Sequence, residues 1–135
     1  MTKERYEFLP HPSELKIRCY GDDLPDIFIN AALAMEEYIF GKKLTHCDQY
    51  QTLEVLGEDV ESLLVNWLSE ILYLNAVKKC VYQRIVFKEF STKKILAEVG
   101  GVAAKAIQEI KAITYNELQI LQVKHQYIAT VVCDI

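Results

Sequence analysis

The sequence closes on Tyr127-Ile128-Ala129-Thr130-Val131-Val132-Cys133-Asp134-Ile135, and this run decides the fold reading. It is apolar, strand-like and free of breakers. Chain ends usually fray or turn polar, yet this one stays apolar to its last residue. On it sit the Asp134 carboxylate and, immediately behind, the α-carboxylate of Ile135. Two oxygen anions on a segment that favours burial form half of a hard-cation site. Burying them without a partner is costly. Three partners stay open on these residues alone: a metal ion, a lysine or arginine, and water at the strand end.

Reading backwards from that run, residues 110–123 form its antiparallel mate, with the turn near Lys124-His125-Gln126. Residues 102–109 are ambiguous; Ala103, Ala104 and Ala106 suggest a helical turn, and Gly100-Gly101 breaks the pattern before it. Strands are expected at 81–90 and 94–99, joined by Ser91-Thr92-Lys93. A helix starts at Asp59: Leu63, Leu64, Trp67, Leu68, Ile71 and Leu72 recur at helical spacing, and Lys78 and Lys79 sit where the helix dipole favours cations. Residues 50–57 alternate as a strand. An earlier helix opens at Asp23, tolerates Pro25 in its first turn, carries the stripe Ile27, Phe28, Ala31, Ala32, Met35 and Ile39, and stops at Gly41. Before it, Leu15, Ile17 and Cys19 alternate with Glu14, Lys16, Arg18 and Tyr20 in a half-buried strand. Pro10 and Pro12 bracket His11 in an extended turn, after a short strand at 6–9. Strands around two long helices predict an α+β fold: a mainly antiparallel or mixed sheet with both helices packed on it.

At 135 residues, with 51% hydrophobic and 25% charged residues, the length and composition describe one ordered domain spanning 1–135. The net charge of −4 argues against strong direct binding to a nucleic-acid backbone, which needs clustered cations. The cysteines Cys19, Cys47, Cys80 and Cys133 form no CxxC pair, so a structural zinc site has little support. His46 beside Cys47 is a metal hint without a second ligand pair. Met1-Thr2-Lys3-Glu4-Arg5 opens no secretory signal, and no apolar run is long enough to span a membrane, so a cytoplasmic, thiol-reduced setting is expected.

No Ser-His-Asp set, P-loop or dinucleotide fingerprint is present. Three segments carry polar chemistry instead: Leu9-Pro10-His11-Pro12-Ser13-Glu14-Leu15, Glu109-Ile110-Lys111-Ala112-Ile113-Thr114-Tyr115, and Asp134-Ile135. Lys111 is expected on a strand face with Ile113 and Tyr115, where it either snorkels or reaches an anion. Asp134 shares its face with Val132 and Ile128, away from an obviously solvated side. Glu14 has an ordinary alternative in pairing with Lys16 or Arg18, worth little on an exposed face.

In this order and spacing the three segments resemble the archease family. Its His-Thr-Ala-Asp-type motif is met by His11-Pro12-Ser13-Glu14, its Lys-Ala-(Ile/Val)-Thr-Tyr motif by Lys111-Ala112-Ile113-Thr114-Tyr115, and its Asp-Ile ending by Asp134-Ile135. Gly21 through Ala34 and Asp59 through Leu68 resemble the family's two helices. The resemblance implies a protein cofactor, not an enzyme. Such a cofactor assists a tRNA-splicing RNA ligase by promoting its guanylylation and turnover. It also implies a divalent-metal site at Glu14, Asp134 and the Ile135 carboxylate, with calcium the first expectation and magnesium or manganese alternatives. Lys111, Glu14, Asp134 and His11 are then the ligase-activating residues. The family's aspartate is Glu14 here, one methylene longer; a flexible calcium shell absorbs that shift better than an octahedral magnesium site. Two rival readings are a chaperone-like scaffold, in which the carboxylates are structural, and an autonomous metal-dependent phosphohydrolase. The second has no convincing general base or oxyanion donor.

Overall fold

The computed structural model describes residues 4–41 and 45–135. Most of the opening pentapeptide read as carrying no signal, Met1 to Lys3, lies outside them. Two antiparallel sheets share one hydrophobic core with two helices. The elements are β1 (Tyr6–Leu9), β2 (Glu14–Gly21), α1 (Leu24–Phe40), β3 (Gln49–Leu56), α2 (Val60–Lys78), β4 (Cys80–Phe90), β5 (Lys94–Ala103), β6 (Ala112–Ile113), β7 (Gln119–Val123) and β8 (Gln126–Asp134). The α+β expectation holds, with the strands divided between two sheets.

The first sheet runs β1-β2-β8-β6, and β7 also pairs with β8. The second runs β3-β5-β4. The C-terminal run is thus an interior strand: β2 lies along one side for its whole length, while β7 and then β6 share the other. That position explains its composition, because both of its edges are paired and its inner face is core. Cys19, Ile17, Ala129, Val131 and Cys133 are essentially inaccessible there. Burial pushes the Cys19 and Cys133 thiols up to about 12, so they serve as packing and not as nucleophiles.

Both helices begin and end as their sequences specify. Asp23 and Asp59 cap them, their carboxylates accepting from the N–H groups of Asp26 and Ser62 at 2.9 and 2.7 Å. Gly41 closes α1 at φ 66°, and Lys79 closes α2 in the same left-handed region at φ 56°, a position that usually favours glycine. Trp67 Nε1–H of α2 donates to the Phe28 carbonyl of α1 at 3.0 Å, which satisfies the indole inside the core.

Glu36 was not singled out by the sequence, and it is fully buried on α1. Its Oε1 accepts from Asn75 Nδ2 of α2 and from the Tyr82 N–H of β4, both at 2.7 Å. Asn75 also donates to the Cys80 carbonyl at 2.9 Å. One carboxyl group therefore ties two helices to a strand. Burial outweighs those hydrogen bonds and pushes its pKa up to about 8, so it is held neutral at pH 7.

Two expectations fail. The helical turn at 102–109 is absent: β5 continues through Gly100-Gly101 to Ala103, and the residues beyond it are irregular. The glycines permit a close approach instead of a break. A Cβ on Gly101 would lie 2.1 Å from the Val81 carbonyl oxygen, beside the irregular register between Tyr82 and Arg84. Likewise, 110–123 is no continuous strand. It splits into β6 and β7 around a turn in which Glu117 adopts φ 55°.

Candidate functional site

Alternation along β2 sends Leu15, Ile17 and Cys19 inward and leaves Glu14, Lys16 and Arg18 on the outer face. In the antiparallel register Glu14 stands opposite Asp134, and Lys16 opposite Val132. On the other side of β8, Ala112 stands opposite Asp134, and the Lys111 N–H donates to the Asp134 carbonyl at 2.7 Å. Three segments distant in sequence therefore converge at one end of the first sheet, and Asp134 is the central member.

His11 hangs over this end from the β1–β2 turn, where Ser13 takes φ 62°. Its Nδ1 lies 3.2 Å from Glu14 Oε1, and its Nε2 lies 2.7 Å from Glu117 Oε2. The other Glu117 oxygen accepts from Lys16 Nζ at 2.9 Å. Glu14, His11, Glu117 and Lys16 thus form a chain of alternating charge. Both ring nitrogens face carboxylates, which favours the doubly protonated imidazolium. The His11 pKa is raised accordingly, first by the Glu117 hydrogen bond, with smaller help from the Pro12 carbonyl and Glu14. The Glu117 carboxyl is lowered, first by Lys16 and then by His11.

Glu117 is the site residue the sequence did not reveal. It follows the Lys111–Tyr115 motif, but its partner His11 is 106 positions away. Its turn is anchored by Thr114, whose N–H and Oγ1 both donate to the Val132 carbonyl, at 3.0 and 2.8 Å. That anchor lets the loop cross the gap between β6 and β7.

Other placements differ from expectation. Asp134 is exposed, and Ile135 is 40% exposed; burial of the run stops at Cys133. Of the outer-face residues, Asp134 is exposed, Val132 is buried and Ile128 is half-buried. Lys111 does not share a strand face with Ile113 and Tyr115. It precedes the two-residue β6 and is exposed, Ile113 is buried, and Tyr115 lies beyond the strand at 59% exposure. Glu14 pairs with neither Lys16 nor Arg18, since His11 and Glu117 take those roles. His46 contacts Thr45 Oγ1 at 3.3 Å, and His125 lies in the β7–β8 turn.

Glu14 and Asp134 are the carboxylates at this end that could hold a hard cation, and one Glu14 oxygen already faces His11. Like charges directly opposite on an antiparallel pair repel, and a cation between Glu14 and Asp134 removes that cost. Carboxylate oxygens are the donors that calcium takes. Among the described residues no three His, Cys, Asp or Glu side chains gather as a ligand group. The side chains at this end therefore give two carboxylates.

A small α+β protein with paired carboxylates, a histidine and a lysine at one end of its first sheet is the class defined by this fold and site. Residues 6–135 match the model of the Archease protein family (MTH1598/TM1083). The chain belongs to the archease family. It is 38% identical to protein archease of Methanosarcina barkeri, covering 98% of this chain and 97% of that one. It is 32% identical to protein archease of Pyrococcus abyssi, over 87% and 88% of the two chains. Among solved structures, the solution structure of Methanobacterium thermoautotrophicum protein 1598 superposes with a TM-score of 0.76 at 26% identity, over 97% and 99% of the chains. The crystal structure of an archease, possible chaperone, from Thermotoga maritima shares the fold, with a TM-score of 0.66 at 17% identity over 100% and 98%. Among the described residues no helix is long and apolar enough to cross a membrane.

Proposed function

We propose that this chain is a non-enzymatic cofactor of a tRNA-splicing RNA ligase, acting in the cytoplasm and promoting guanylylation of the ligase. The observation that carries this reading is the register: Glu14 opposite Asp134, with Lys111 tied to Asp134 through its backbone N–H. Family membership supports it.

In this reading Glu14 and Asp134, with the Ile135 carboxylate behind them, hold a divalent cation, calcium before magnesium or manganese. The cation supplies charge neutralisation beside the nucleotide phosphates. Lys111 is exposed and offers a mobile point charge to a phosphoryl oxygen, as cations do in phosphoryl transfer. His11, clamped between two carboxylates, fixes the direction in which Glu14 points. None of these groups has to break a covalent bond. Their work is to bring charge to the active site of another protein, which is why no intrinsic turnover is expected.

The test is single-turnover guanylylation of the ligase with and without this chain at fixed divalent metal. Acceleration that is lost in Asp134→Ala and Lys111→Ala is the expected result. No acceleration by the wild-type chain overturns the reading. A second reading, a chaperone-like scaffold, draws on the description of the Thermotoga maritima structure and on exposed apolar side chains such as Ile107 and Tyr73. Under it, suppression of client aggregation survives Asp134→Ala.

A further inference from the structure

We infer that the groove between α1, α2 and the segment 104–110 is a docking surface for an acidic segment of another protein, one bulky apolar side chain of which enters the groove. The surface is built by the two helices and by the chain leading to Lys111, and it needs no cation at Glu14 and Asp134.

The groove follows from how the chain leaves β5. Ala104 N–H donates to the Lys79 carbonyl at the end of α2, at 3.1 Å. The N–H groups of Ile107 and Gln108 both donate to the Ile39 carbonyl near the end of α1, at 2.7 and 3.1 Å. The segment is thus strapped across both helix ends. Between strap and helices lies a cleft of about 140 Å³, lined mainly by Phe40, Leu72, Asn75, Ala76 and Ile110. Its floor is held in place, because Asn75 Nδ2 is committed to Glu36 and to the Cys80 carbonyl. A cleft fixed in advance costs little to order when a ligand binds.

Large apolar side chains stand exposed around it. Ile107 is 66% exposed and lies over Gly41, where an added Cβ would meet Ile107 Cδ1 at 2.8 Å. On α2, Tyr73 and Val77 are 61% and 52% exposed, on the stripe next to Leu72 and Ala76. Single exposed apolar residues are ordinary, but a group of them about an apolar cleft marks an interaction surface. Charge decides what that surface takes. Lys78, Lys79 and Lys105 gather where the strap joins α2; all are exposed, and none forms an ion pair among the described residues. The helix dipole accounts for lysines at the end of α2, but Lys105 lies outside both helices. Three lysines outweigh Glu109 of the lining and the partial charge of roughly −0.5 at each helix end. The rim is therefore cationic on a chain whose net charge is −4. A second copy docked about a two-fold axis would set these lysines against their own images. An acidic segment of another protein neutralises them.

The experiment selects peptides from a random phage-displayed library on the full wild-type chain. Fluorescence polarisation then follows the enriched peptides on wild type, Ala76→Arg, Ile107→Ser, and Lys78→Glu combined with Lys105→Glu. All four positions are exposed, and circular dichroism confirms that each variant is folded. Enrichment of a bulky apolar residue flanked by Asp and Glu is expected. Ala76→Arg, which fills the cleft, and the charge reversal are each expected to weaken binding by about tenfold or more, and Ile107→Ser by about fivefold. Wild-type binding is expected to fall as salt rises. No enriched peptide, or enriched peptides with neutral or basic flanks, overturns the inference. Binding left intact by both Ala76→Arg and Ile107→Ser overturns it too, because the peptides then sit elsewhere. A wild-type chain that dimerises in light scattering, with the dimer lost in Ala76→Arg, assigns the groove to a second copy and overturns the acidic partner.

Discussion

Glu36 and Glu117 are the same side chain in opposite surroundings. Glu36 lies inside the joint of α1, α2 and β4, where no cation among the described residues faces it and burial drives its pKa up to about 8. Glu117 lies on the surface between Lys16 and His11, and its carboxyl is lowered by both. The first is neutral and holds backbone in place. The second is charged and arranges other charges. The difference teaches that a perturbed carboxyl does not by itself mark a functional site. The sign of the shift and its cause separate an acid shaped by burial from one shaped by cationic neighbours.

The largest effect should come from breaking the buried member. Glu36→Ala leaves a cavity, strands the Tyr82 N–H donor and leaves Asn75 Nδ2 only its bond to the Cys80 carbonyl. A loss of about 3 kcal/mol in urea-unfolding stability is expected.

Next comes the pH dependence of the same residue. The folded pKa of Glu36 is raised, so its proton is kept in the native state while the unfolded chain releases it above pH 4.5. Its contribution is therefore fully present below pH 4.5 and drains away as pH rises toward about 8, where it levels off. The slope in that window is about 1.4 kcal/mol per pH unit. Glu36→Gln keeps an acceptor for both donors and has nothing to ionise. Subtracting its stability profile from that of wild type should isolate this slope; parallel profiles would place Glu36 as ionised in the fold.

The surface members should behave otherwise. Glu14→Ala and Asp134→Ala remove exposed or half-exposed like charges, so unfolding stability should stay within about 0.5 kcal/mol of wild type. A larger loss would make these carboxylates structural and favour the scaffold reading.

The smallest and sharpest effect concerns His11. Its raised folded pKa means that its pairing stabilises the fold below about pH 6.5 and is lost as pH climbs through the raised value. Glu117 has the opposite sign: its pairing is present above pH 4.5 and is lost as pH falls through its lowered value. Between those limits the charge chain is intact. Glu117→Gln should bring the His11 midpoint, followed by the imidazole proton shift in NMR, back toward 6.5.

Much of this comparison was readable in the sequence, but unequally. Caps, stripes and the β4–β5 hairpin are local signals, so both helices and most strands fall near their expected bounds. Gly100-Gly101 misled because a glycine pair reads locally as a breaker. Its actual purpose, clearance for the Val81 carbonyl, depends on a strand twenty residues away. Glu14, Asp134, Lys111 and His11 were legible as motif residues, and the register brings their segments to one end of the first sheet. Glu117 was not, because nothing local distinguishes a turn glutamate whose partners come from another strand. Glu36 did carry a signal that went unused: it lies four residues after Ala32 and three before Ile39, on the apolar stripe of α1.

The most direct measurement sets the two kinds of carboxyl side by side in one assay. Single-turnover guanylylation of the ligase is followed with wild type, Asp134→Asn and Glu36→Gln at pH 7 and fixed calcium. The expected result is full stimulation by Glu36→Gln and none by Asp134→Asn, with both variants folded. Equal stimulation by all three, or loss confined to Glu36→Gln, would contradict the assignment of function to the outer face of the sheet.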